Sequence, residues 1–103
     1  MKVTFIATVY NEESTVSDLL ISLFSQSKPP DEVIIVDGGS RDRTVAQIKN
    51  LKLKIKNSRL RILIKKGNRS IGRNEAIRKA TSEIIVCSDS GCVLDKDWIK
   101  NII

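Results

Sequence analysis

The sequence predicts an α/β fold, a mostly parallel sheet with helices on both faces. Three observations carry that prediction. Apolar runs recur within FIATVYNEE (residues 5–13), EVIIVDGGSRD (32–42) and EIIVCSDSGC (83–92), without the alternation of a half-solvated strand, as parallel strands buried on both faces require. Segments with helical spacing separate them. Each run ends in a polar cluster, so the clusters meet along one edge of the sheet, where open α/β sheets bind ligands. Right-handed crossovers give the spatial strand order 3-2-1-4.

Residues 3–9 form the first strand. A turn and helix start follow at residues 11–15, with Thr15 and Asp18 at capping spacing. Leu19, Leu20, Leu23 and Phe24 make one apolar helical stripe, which Pro29-Pro30 stops. The β-branched run at residues 32–36 is the second strand. Asp37-Gly38-Gly39-Ser40 is a tight turn in which two glycines allow close backbone approach. A second helix opens near Asp42 and runs through Val45, Ile48 and Leu51 to an end between residues 51 and 57. A short strand follows at 60–64. Ser70 caps a third helix whose inward side is assigned Ile71, Ile77 and Ala80. The fourth strand covers 83–87. Asp95 and Asp97 suit the first turn of a last helix anchored by Trp98 and Ile102.

With 103 residues, the chain is at most one domain. The apolar run to Ile103 without a stop signal makes it look like part of a longer one. A half sheet with an uncovered edge is expected to be marginally stable or to self-associate. Basic residues exceed acidic ones, 18 to 12, which fits an anionic partner. No stretch has the length of a membrane span or the layout of a signal peptide. Residues 49–66 carry bases and no acid, a solvated face for which an anionic membrane surface is the alternative partner. Nucleic acid is disfavoured, because no aromatic residue is interleaved for stacking. Cys87 and Cys92, with no histidine in the chain, make a poor zinc site and are taken as buried or incidental thiols. Reduced thiols fit a cytoplasmic location.

The predicted ligand edge carries Thr8, Tyr10 and Asn11 from the first strand, Asp37 to Ser40 from the second, and Asp89 from the last. Arg73 sits at a helix start, where the helix dipole disfavours a cation, and this points to a role in holding phosphate. No phosphate-binding loop, dinucleotide fingerprint, serine elbow or histidine is present. Chemistry here must use carboxylates, a metal ion, backbone N–H groups and cations. Asp37 and Asp89 suit a base, ribose hydroxyl or metal-bridged diphosphate, and Gly38 leaves room for a flat base. The residues alone reach an anionic nucleotide or phosphorylated ligand; as simple turn formers, both aspartates have a structural alternative.

Three segments, ATVYNEE (7–13), SLFSQSKPPDEVIIVDGGSRDRT (22–44) and GNRSIGRNEAIRKATSEIIVCSDSGCVLDKDW (67–98), resemble in order and spacing the N-terminal half of the large inverting glycosyltransferase family with the GT-A fold. The resemblance implies the nucleotide-binding half of that Rossmann-like fold and a nucleotide-diphosphate sugar as ligand. It implies that Thr8, Tyr10, Asn11 and Glu12 border the nucleotide, that Asp37 and Gly38 face the base, and that Arg73 meets ribose or phosphates. Asp89 would open the D-x-D motif and approach Mn²⁺ or Mg²⁺. Two departures stand out: Gly38 replaces a frequent second acid, and Gly91 replaces the last acid of D-x-D, which commonly ligates the metal. The family's catalytic base lies beyond this chain, so the catalytic residues are unknown. The thiols and the basic run together give the expected location as cytoplasmic, peripheral at the cytoplasmic face of a membrane where that run meets anionic lipid. Two rival readings are an inactive or fragmentary nucleotide-binding module and a nucleotidyltransferase on a related sheet.

Overall fold

The computed structural model describes residues 2–55, 59–88 and 93–102. Four strands, β1 (Val3–Val9), β2 (Glu32–Asp37), β3 (Leu60–Ile64) and β4 (Ile84–Cys87), form one sheet in the order β3-β2-β1-β4. All three pairings are parallel, with Ala7 opposite Ile35, Ile6 opposite Cys87 and Ile35 opposite Ile62. The predicted class and strand order hold. The last strand begins at Ile84, one residue after the predicted start.

Successive side chains on a strand point to opposite faces, which divides the core in two. Val3, Phe5, Ala7 and Val9 join Val33 and Ile35 on one face. There they pack against α1 (Val16–Phe24), Ile48 of α2 (Thr44–Ile55) and Ile99 of α4 (Trp98–Ile102). Ile6, Ile34 and Val36 occupy the other face and pack against Ala76 of α3 (Arg69–Lys79). Phe5 and Trp98 meet edge to face at 6.2 Å. Burial of β1 and β2 on both faces accounts for their continuous apolar character.

Several helix details differ from expectation. Thr15 is the N-cap of α1 but makes no side-chain cap bond; its hydroxyl turns back to Glu12 Oε2 at 3.0 Å. The helix ends at Phe24, before the two prolines, because the Ser25 and Gln26 N–H groups close its last turn. α2 opens at Thr44, since Asp42 accepts from the Thr44 N–H and hydroxyl in the turn before it. Asn68, not Ser70, caps α3 by accepting from Ile71 N.

Ile71 and Ile77 are exposed, and the sheet side of α3 is Gly72 and Ala76, with Ala80 packed alongside. Asp95 and Asp97 precede α4, where Asp97 N donates to Asp95 Oδ1 at 2.9 Å. Ile99 anchors that helix with Trp98, whereas Ile102 is exposed. Gln26, itself buried, bonds Ser22 O, Asp95 O and Ile99 N. It thereby fastens the segment after β4 to the end of α1.

Candidate functional site

Parallel pairing brings the carboxyl ends of the strands to one edge, and there the β1–α1 and β2–α2 loops are laced together. Asp37 Oδ2 accepts from Gly39 N at 2.9 Å and Ser40 N at 2.8 Å, while Oδ1 accepts the Ser40 hydroxyl at 2.6 Å. Ser40 Oγ in turn accepts from Asn11 N at 2.8 Å, and Asn11 Oδ1 accepts from Arg41 N at 2.9 Å. Asn11 has φ 52°, a left-handed conformation that asparagine tolerates better than most residues. Glu12 N donates to Thr44 Oγ1, and Glu13 N to Asp42 Oδ2. Desolvation pushes the Asp42 carboxyl up, but hydrogen bonds from the Thr44 hydroxyl and from the Thr44 and Glu13 N–H groups outweigh it and hold it below its ordinary range. The two loops are therefore one hydrogen-bonded unit, built from polar residues that the sequence offers as ligand candidates.

Beside this unit lies a cleft of about 430 Å³ between β1, the end of β4 and the N-terminus of α3, within the size range of small-molecule sites. Of the residues proposed from sequence, Thr8, Tyr10, Glu12, Gly38 and Arg73 line it. Asn11 and Asp37 do not; their hydrogen bonds shape the loops that border it. Asp89 lies outside the described residues, next to the cleft-lining Ser88.

Sequence reasoning missed Gly67, Asn68, Arg69, Gly72, Ala76 and Cys87, all of which line the cleft. For Arg69 a signal existed: Arg69 and Arg73 are four apart, one helical turn, so a helix that aims one at the cleft aims both. The signal in Gly67 is weaker. It has φ +144°, and a Cβ there would lie 2.7 Å from Ile71 Cδ1, so only glycine fits the approach to α3. Cys87 is an exposed thiol, not a buried one, because α3 packs over β1 and β2 and leaves its side of the β4 edge open.

The charges lining the cleft are the carboxylate of Glu12 and the guanidinium groups of Arg69 and Arg73. Cations therefore outnumber anions at the N-terminus of α3, whose backbone N–H groups also favour negative charge. Forked guanidinium donors match phosphate oxygens, and half-exposed Tyr10 offers a ring at the rim. Among the described residues no group of three or more His, Cys, Asp or Glu gathers to hold a metal ion. The described residues thus do not by themselves supply a metal site, and the sequence candidate for one, Asp89, lies outside them.

Fold and cleft together define a parallel α/β protein with its cavity at the carboxyl ends of the strands, where such sheets bind ligands. The chain belongs to Glycosyl transferase family 2, whose sequence profile matches residues 4–103. It is 35% identical over 97 residues to the poly-beta-1,6-N-acetyl-D-glucosamine synthase of Staphylococcus epidermidis, covering 92% of this chain and 23% of that protein. The crystal structure of Staphylococcus aureus TarS 1–349 in complex with UDP superposes with a TM-score of 0.84 at 29% identity, over 99% of this chain and 31% of TarS. The mannosyltransferase PcManGT of Pyrobaculum calidifontis, in complex with GDP-Man and Mn²⁺, gives 0.86 at 29% identity over 93% of this chain and 29% of its own. These solved structures share the GT-A, Rossmann-like architecture. The chain spans about a quarter of the length of the curated relatives it matches.

Proposed function

We propose that this chain is the donor-binding part of a glycosyltransferase that moves a sugar from a nucleotide-diphosphate sugar to an acceptor hydroxyl with inversion. The observation that carries the reading is the cleft itself. Arg69 and Arg73 stand at one end of α3, Tyr10 and Gly38 stand at the strand ends, and the relatives TarS and PcManGT are solved with UDP and with GDP-Man. In this reading Tyr10 and Gly38 border the base, and Thr8 and Glu12 lie beside the ribose. Arg69 and Arg73 neutralise the diphosphate. Asp37, buried and bonded to Gly39 and Ser40, acts through the base-side loop that it holds, to which Asn11 is bonded. In the transfer the acceptor oxygen bonds to the anomeric carbon as the bond to the diphosphate oxygen breaks. The diphosphate takes the electron pair, and a base takes the acceptor proton.

Asp89 is the proposed ligand for a divalent ion, Mn²⁺ or Mg²⁺, which when bound would offset diphosphate charge; a mannosyltransferase relative is solved with Mn²⁺. The base belongs to the portion of the relatives' length that this chain does not span. We therefore assign the 103-residue chain donor binding without transfer. An anionic membrane surface at the cytoplasmic face is proposed as its second partner. No helix among the described residues is long and apolar enough to cross a membrane.

Calorimetric titration with nucleosides and nucleoside diphosphates, with and without Mn²⁺, tests the donor reading. Arg69→Gln and Arg73→Gln should each weaken diphosphate binding by about tenfold, the equivalent of one charge-assisted hydrogen bond, and spare the nucleoside. Asp37→Asn should weaken both ligands alike, and Asp89→Asn should remove the metal-dependent part alone. Absence of any nucleotide binding, or binding indifferent to both arginines, would overturn the assignment.

A further inference from the structure

We infer that the flank formed by the C-terminal half of α2 and the outer strand β3 is a docking surface for an anionic lipid bilayer. It rests on the membrane contact proposed above and is independent of donor binding. Residues 49–66 hold eight basic side chains and no acid. The fold sets Lys49, Lys52 and Lys54 on α2 and Lys65 just after β3, while Arg61 turns to the α3 side of the sheet. α2 packs on β3, and Ile64 shares the α2-side face of β3 with Leu60 and Ile62 through strand alternation. Lys49 and Lys54 are exposed on α2, Lys52 is half-buried beside them, and exposed Lys65 follows β3. At 1.5 Å per residue α2 is about 18 Å long, so these charges spread over a surface instead of converging on one anion.

Two plainer accounts fall short. Lysines in the last turn of a helix complement its dipole, which explains Lys52 and Lys54 but neither Lys49 nor Lys65. A merely solvated face does not explain Leu53 and Ile64, which are 75% and 63% exposed, the first between Lys52 and Lys54 and the second directly before Lys65. Aliphatic side chains ringed by cations suit the boundary between headgroups and acyl chains, where the apolar group enters and the ammonium groups meet lipid phosphate. Nucleic acid fits less well. The chain's aromatic residues are all elsewhere: Phe5 in the core, Phe24 and Trp98 packed against it, and Tyr10 at the cleft. The flank therefore has no stacking platform. Of the nearby acids, Glu32 pairs with Arg61, which leaves the lysines of the run to carry the flank's charge, and Asp31 is bonded to Val3 N.

The test is co-sedimentation of the chain with vesicles of phosphatidylcholine alone and of phosphatidylcholine with phosphatidylglycerol, at low and high salt. Binding is expected only to the anionic vesicles and should weaken with salt. Each basic residue near such a surface contributes about 1 kcal/mol, or roughly fivefold. Joint substitution Lys49→Gln, Lys52→Gln and Lys54→Gln should then lower partitioning on the order of 100-fold, while the same lysines changed to Arg keep it. Leu53→Ser should lower it several-fold at every salt concentration. Joint substitution Lys79→Gln, Lys96→Gln and Lys100→Gln removes the same charge elsewhere and should cost far less. Nucleotide titration and a thermal melt on each variant report whether the fold is intact. If the unaltered chain binds no vesicle, the membrane contact itself is wrong. If both glutamine triples weaken binding equally, the contact is diffuse and this flank is not the docking surface. Flank-dependent binding to RNA or DNA without vesicle binding would replace the bilayer with nucleic acid and overturn the inference.

Discussion

A carboxylate offers about four acceptor sites, and Asp37 spends three of them on Gly39 N, Ser40 N and Ser40 Oγ. The acid at the end of an apolar strand was visible in the sequence, and so were the glycines after it. What could not be seen is that its first duty is to hold its own loop, because that depends on where the N–H groups two and three residues away point. Glu32, at the opposite edge, is a stronger instance of a side chain serving the fold. Its Oε1 accepts from Thr4 Oγ1 at 2.9 Å and Thr81 N at 3.0 Å, and Arg61 lies 3.6 Å from Oε2. Burial alone would raise its pKa, but the Thr81 and Thr4 bonds, with the Arg61 charge, outweigh it and hold it below the ordinary value of 4.5. A lowered folded-state pKa stabilises the fold above the unfolded value, and that stability drains away as pH falls through the folded one. Glu32→Gln should therefore cost about 1 kcal/mol at neutral pH through its weakened hydrogen bonds. The gap to the unaltered protein should close in acid, as pH falls below 4.5 and through the lower folded-state value. Urea unfolding across that range checks it; a gap that persists undiminished in acid would refute the linkage.

Helix α3 places both arginines, and its apolar periodicity assigns the inward side correctly at Ala80 but not at Ile71 and Ile77. Ile71 and Ile77 were assigned inward because they are the apolar members of the segment, yet Gly72 and Ala76 face the sheet. A pattern search weighs side-chain hydrophobicity, whereas this contact is set by how closely backbone can approach. A Cβ on Gly72 would stand 2.9 Å from Thr8 Cγ2 and 3.4 Å from Val36 Cγ1. Gly72→Ala must then lift the start of α3 off β1, at about 1–3 kcal/mol for overpacking, and carry Arg73 with it. The expected result is a lowered melting temperature together with weaker nucleoside diphosphate binding. Adding Thr8→Ser removes the opposing methyl and should recover most of the stability. No recovery would mean that the clash lies elsewhere. The strands, by contrast, were legible almost to the residue, since burial on both faces leaves a plain apolar signature that loop geometry cannot blur.

The whole molecule has two sheet edges with opposite characters. The β3 edge carries Arg61 and is followed by Lys65 and Lys66, the kind of charge that keeps a free edge from pairing. The β4 edge is Ile84, Ile85, Val86 and Cys87 and carries none. Overall order and topology followed from the sequence because run lengths and crossover handedness leave few arrangements. The exposure of β4 did not, because it depends on which strands α3 covers. One result is that the sulfur of Cys87 faces solvent at the floor of the cleft. That makes it a built-in gauge of what fills the cavity. In a Cys92→Ser background, the rate of Cys87 alkylation by a small maleimide should fall several-fold on saturation with nucleoside diphosphate. An unchanged rate would place the nucleotide away from this wall. The same thiol would slow again in any longer form of the protein whose added chain seals the β4 edge, so one labelling rate distinguishes an occupied cleft from a completed sheet.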